Sequence, residues 1–178
     1  MAIKESKIKH LIREYLLDEG LLRKKIPDNE QKLEFGFQFS FPPGPRGHAM
    51  LVFKPKNKAM LFISLGTQIS PPHIKALNSL EDNKKMEYFM ELRKLYLLKD
   101  VFYRIDIQNH RYEISDQIFL DLDGLVSKKE FYDSVRKVFN CAALSNIILG
   151  EYCAGKIKPE DFAKTKEFSS GSDFSLYS

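Results

Sequence analysis

Cysteine is scarce in this chain, with two in 178 residues, so a disulfide-stapled scaffold is excluded. Long apolar runs are missing too. No stretch reaches the roughly 18 residues that a membrane helix needs. The opening Met-Ala-Ile-Lys-Glu-Ser lacks the continuous apolar core of a signal peptide, so a cytoplasmic location is the expectation. Neither GxxxxGK nor GxGxxG occurs, which leaves no glycine-rich phosphate cradle. His10, His48, His73 and His110 come from separate segments without zinc-ligand spacing, and no metal or cofactor is expected. Ser169-Ser170-Gly171-Ser172 is low-complexity sequence and not a nucleophile elbow.

What the chain does contain is enough apolar sequence for a core: 43% hydrophobic against 29% charged residues. A chain of about 150 residues buries roughly 68–70% of its unfolded surface without staples. The spacing Ile8, Leu11, Ile12, Tyr15, Leu16 predicts an amphipathic helix over residues 5–19, ended by Gly20. Ile26-Pro27-Asp28-Asn29-Glu30 reads as a turn.

The period then drops to two. Leu33, Phe35, Phe37, Phe39 and Phe41 alternate with polar or small residues, predicting a strand with one buried face. Pro42-Pro43-Gly44-Pro45 interrupts it. Two short apolar runs, 49–53 and 59–63, flank the polar turn Lys54-Pro55-Lys56-Asn57-Lys58, so residues 32–65 read as a three-stranded meander.

Ser70-Pro71-Pro72 starts a helical segment with Ser70 as N-cap. Glu81-Asp82-Asn83 is a place to break or restart it, before a face of Met86, Phe89, Met90, Leu92, Leu95, Tyr96 and Leu98. Residues 101–107 and 112–120 form a second hairpin. Ser127-Lys128-Lys129-Glu130 is a capping box opening a last helix, which runs to about Cys153 with Gly155 as its stop. Cys141 and Cys153 share that helix, about 18 Å apart, so they cannot pair and read as buried thiols.

These elements define an α+β fold: a five-stranded antiparallel sheet in the order α-β-β-β-α-β-β-α, with helices packed on one face. Residues 1–155 form the domain, and 156–178 a loosely ordered tail in which Phe162, Phe168, Phe174 and Tyr177 stand isolated.

Two stretches suggest chemistry. Ile118-Phe119-Leu120-Asp121-Leu122-Asp123-Gly124 resembles the first motif of the haloacid-dehalogenase-like hydrolases. That resemblance implies a Mg²⁺-dependent phosphohydrolase with Asp121 as nucleophile and Asp123 as acid/base. Its context is wrong: Leu125 replaces the usual Thr, and only a helix and the tail follow. A turn that uses Asp and Gly for backbone reasons is the simpler reading, so no catalytic residue is assigned. Charge is the second signal. No acidic residue lies between Glu34 and Glu81, while Arg46, Lys54, Lys56, Lys58 and Lys75 do. The second hairpin reverses this with Asp100, Asp106, Glu113, Asp116, Asp121 and Asp123. Such asymmetry suits an oppositely charged partner or a second subunit, with Arg46, Lys54, Lys56 and Lys58 as candidate partner-binding residues. A nucleic acid is the alternative partner.

The stretches Phe41-Pro42-Pro43-Gly44, Leu51-Val52-Phe53 and Ile69-Ser70-Pro71-Pro72-His73, together with the element order, are similar to an uncharacterised archaeal protein family that resembles the type III secretion chaperone-like fold. That resemblance implies a non-catalytic, often homodimeric protein-binding module, and it assigns no site residue.

Overall fold

A computed structural model describes residues 6–27 and 32–157 of the chain. The tail with its four aromatics, and most of the turn after Ile26, lie outside the described residues.

The first helix, α1 (Lys7–Asp18), buries Ile8, Ile12 and Leu16 and is followed by Gly20 at φ 65°, a backbone angle that glycine adopts without strain. The phenylalanine-alternating segment is β2 (Leu33–Phe41), with Phe35, Phe37 and Phe39 buried. It pairs antiparallel with β3 (His48–Pro55), which pairs with β4 (Met60–Gln68), as the meander predicts.

The sheet departs from expectation in two ways. It has six strands rather than five, because Leu22–Lys25 forms an additional strand, β1, on the outer edge of β2. Leu-Arg-Lys-Lys shows no hydrophobic alternation because an edge strand of four residues has little to bury. The strand order is also rearranged. After α2 (Pro71–Asn78) and α3 (Asp82–Leu98), the hairpin β5 (Phe102–Asp106) and β6 (Arg111–Phe119) enters with β6 against β4, giving the order β1-β2-β3-β4-β6-β5. The observed succession is therefore α-β-β-β-β-α-α-β-β-α.

The helical segment splits where Glu81-Asp82 suggested. Ser79 closes α2 by donating its backbone N–H to Lys75 and Ala76 and its Oγ–H to the Ala76 carbonyl at 2.7 Å. Lys85 Nζ then ties the corner by donating to Asn78 Oδ1 at 2.6 Å.

The last helix, α4 (Lys128–Cys153), opens with the full capping box: Ser127 Oγ accepts from Glu130 N, and Glu130 Oε2 accepts from Ser127 N. Its buried face of Phe131, Val135, Val138, Cys141 and Ala142 crosses the sheet over β4 and β6. Three polar pins fix it there. Ser134 Oγ donates to Asp116 Oδ2 at 2.8 Å, Lys137 Nζ to Asp116 Oδ1 at 3.1 Å, and Tyr112 Oη to Asn146 Oδ1 at 3.1 Å.

All four helices thus lie on one side, α1 over β1 and β2, α3 over β5, and α2 against α4. At the β2 end of the opposite face Ile26 lies on Gly36, where a Cβ would come within 2.8 Å of its Cδ1.

Candidate functional site

The two edges of the sheet differ in character. An edge strand presents unpaired backbone donors and acceptors and invites another strand unless it is blunted by brevity or charge. On β1 both devices operate: it is four residues long, and Arg23, Lys24 and Lys25 are exposed. β5 uses neither to the same degree. Its sequence Phe-Tyr-Arg-Ile-Asp has one cation, one anion and three large apolar side chains.

Antiparallel pairing with β6 places Arg104 opposite Glu113 and Asp106 opposite Arg111 on the helix-free face. Arg111 Nε lies 3.4 Å from Asp106 Oδ2. Asp106 is also the anchor of the hairpin turn, accepting Asn109 N–H at 3.0 Å and Asn109 Nδ2–H at 2.8 Å. These hydrogen bonds from Asn109, and then the Arg111 charge, hold its carboxyl below the ordinary aspartate range.

Above β5, α3 carries apolar side chains on two faces. Tyr88, Phe89, Leu92 and Tyr96 are buried. Met86 and Met90, which the periodicity assigned to one apolar face together with Leu98, point outward at 59% and 41% exposure, and Leu97 is 68% exposed. Leu98 and the first residue of β5, Phe102, are exposed as well. Of the ten large hydrophobic side chains exposed among the described residues, six fall between Met86 and Ile107.

The basic candidates do not form one surface. Lys54 is withdrawn: it is buried and its Nζ is ion-paired with Glu34, beside the bulge between Leu33 and Phe35. Arg46 lies in the β2–β3 loop, and Lys56 and Lys58 in the β3–β4 turn at the other end of an eight-residue strand, roughly 26 Å away. The charge asymmetry along the chain folds into adjacency. Leu120 N donates to Ala59 O at 3.0 Å, so the lysine turn neighbours the loop that carries Asp121 and Asp123.

That loop has a backbone task. Asp121 Oδ1 accepts the Leu125 N–H at 2.7 Å, and Gly124 takes φ 72°. The strand before it runs antiparallel to both neighbours, unlike the parallel sheet the hydrolase resemblance implies. Among the described residues no three His, Cys, Asp or Glu side chains are grouped to hold a metal. Cys141 and Cys153 are buried and free, and burial pushes both thiols up, away from nucleophilic use. His73 accepts or donates at Nδ1 to Ser70 Oγ at 2.7 Å, and burial lowers its pKa.

A cavity of about 380 Å³ lies between the end of α1, the β2–β3 loop and the start of α4, floored by Leu21, Phe41 and Tyr132. Its cations are satisfied by the protein's own carboxylates. Lys128 pairs with Glu19 at 2.9 Å, Lys129 with Asp133 at 2.5 Å, and Arg136 with Asp133 as well.

No described helix is long and apolar enough to cross a membrane. The architecture of the described residues is α+β, with four helices and an open, fully antiparallel six-stranded sheet. The chain belongs to the family described as uncharacterized conserved protein (DUF2299), which matches residues 8–149 and so takes in the meander, α3 and the β5–β6 hairpin. It is similar to a protein of Methanothermobacter thermautotrophicus whose crystal structure is described as that of an uncharacterized protein. The two are 25% identical with a TM-score of 0.71, over 80% of this chain and 96% of that one. Both findings are consistent with the uncharacterised archaeal family expected from the sequence. No curated protein matches the chain.

Proposed function

We propose that the protein is a non-catalytic protein-interaction module that works as a homodimer. The observation that carries this reading is the concentration of exposed apolar side chains on α3 and β5, beside a sheet edge without the charge that guards β1. The chemistry-bearing residues, by contrast, are spent on structure: Asp121 on a turn, Lys54 on Glu34, and both cysteines on packing.

The chaperone-like likeness belongs to this proposal. The shared succession of helix, meander, helical segment, hairpin and helix supports it, and the added β1 and divided helical segment depart from it. Lys56 and Lys58 would offer peripheral charge to a partner, while Arg46, at the other end of β3, would stand apart from them.

Light scattering on the purified chain tests the reading. The expected mass is twice the 20.7 kDa of one chain, falling to one chain in a Leu97→Glu, Leu98→Glu variant. A wild-type monomer at 100 μM would overturn it. Retardation of nucleic acid that weakens steeply with salt would favour the other partner class.

A further inference from the structure

Resting on the homodimer reading, we propose that two copies join through their β5 edges, antiparallel about a two-fold axis at Ile105, into a continuous twelve-stranded sheet. The argument is one of register. Directly opposed residues in an antiparallel pair point to the same face, so a two-fold between two β5 strands must sit on a residue position.

Three positions keep most of β5 in the pair. A two-fold at Arg104 sets that guanidinium against its own copy, which like charges disfavour. A two-fold at Tyr103 sets Arg104 against the partner's Phe102 and leaves Asp106 beyond the start of the partner's strand, with no residue opposite it. A two-fold at Ile105 sets Arg104 against the partner's Asp106 twice over.

The last arrangement completes a pattern that the single chain already begins. On the helix-free face, β6 supplies Glu113 beside Arg104 and Arg111 beside Asp106. Across the seam each row then reads Glu113, Arg104, the partner's Asp106, the partner's Arg111. The signs alternate through all four places, and the two-fold repeats the row in reverse.

On the other face Ile105 meets its own copy, and Tyr103 faces the partner's Ile107, the first residue of the hairpin turn, apolar against apolar. Because the axis stands perpendicular to the sheet, the helices of both copies lie on the same side. The helix there that contacts β5 is α3, whose exposed Leu97 and Leu98 end it one short loop before that strand. The edge strand, the charge rows and the apolar stripe thus converge on a second copy of this chain.

Cysteine cross-linking reads the register. Under mild oxidation Ile105→Cys should form a disulfide-linked dimer, while the wild type, with Cys141 and Cys153 buried, should form none. Because Ile105 packs partly into the core, a double variant, Tyr103→Cys with Ile107→Cys, provides a second readout of the same register, and circular dichroism checks that each variant folds. At 0.5 M salt the dimer dissociation constant should rise at least tenfold over its value at 0.05 M. A folded dimer in which neither variant cross-links overturns the seam and leaves the homodimer reading standing. A monomer overturns both.

Discussion

The hydroxyls of Tyr96 and Ser145 lie 2.8 Å apart between α3 and α4, and their direction is determined by a third group. Ser145 donates its hydrogen to the Cys141 carbonyl at 2.7 Å, so Tyr96 must donate to Ser145. This buried chain of two hydrogen bonds sets α3 at its height above the sheet, and with it the outward position of Leu97. Ser145→Ala should cost about 1–3 kcal/mol, because the Tyr96 hydroxyl is left buried without a partner. Adding Tyr96→Phe should recover part of that loss, which a double-mutant cycle in urea would measure.

Tyr88 provides the converse. Its hydroxyl is buried and finds no hydrogen-bond partner among the described residues. Tyr88→Phe is therefore expected to be neutral or stabilising by up to about 1–2 kcal/mol, opposite in sign to Tyr96→Phe alone. A fall in the urea midpoint of Tyr88→Phe would show that the hydroxyl is satisfied in solution.

The pair of Lys54 and Glu34 should behave asymmetrically. Lys54 is the more buried partner, so Glu34→Ala strands a cation and should cost about 1–3 kcal/mol. Replacing both, Glu34→Ala with Lys54→Met, should cost less than Glu34→Ala alone. Equal losses in thermal unfolding of the two variants would count against a buried, coupled pair.

Asp106 links the hairpin to pH. Its pKa is lower in the folded chain than in the unfolded one, so the folded state binds fewer protons there. The stabilisation is fully present above the unfolded value of about 3.9 and is lost as pH falls through the folded value. In Asp106→Asn this acid-side component of the loss should vanish from urea midpoints measured between pH 6 and pH 2. An unchanged pH profile would show that Asn109 and Arg111 do not hold the carboxylate in solution.

Much of this architecture is legible in the residue pattern, where a single physical constraint dominates. Phe35, Phe37 and Phe39 alternate because one face of β2 is buried, and Ser127 and Glu130 mark a helix start because three residues suffice to close a capping box. Elsewhere the deciding constraint is non-local. β1 is held by β2 and by no pattern of its own. That β6 rather than β5 neighbours β4 depends on how the hairpin is laid against the meander, which chain order does not encode. Met86 and Met90 share helical spacing with Phe89, yet only neighbouring elements decide which side of α3 is covered. For the candidate site, the charges of Arg104 and Asp106 are plain in the sequence, whereas their places beside Glu113 and Arg111 need the register of the hairpin. Lys54 is the reverse case, a surface residue by composition that a bulge in β2 brings to Glu34.

The inequality of the two sheet edges limits what this molecule can build. With Arg23, Lys24 and Lys25 along one margin of the described sheet, the proposed seam uses the other margin. A body extensible in one direction can close with a single copy of itself, and the product has no margin left on which to grow. In the proposed assembly the short basic strand would act as a terminator, setting an upper limit of two chains per sheet and keeping an open antiparallel sheet from becoming the seed of a fibre.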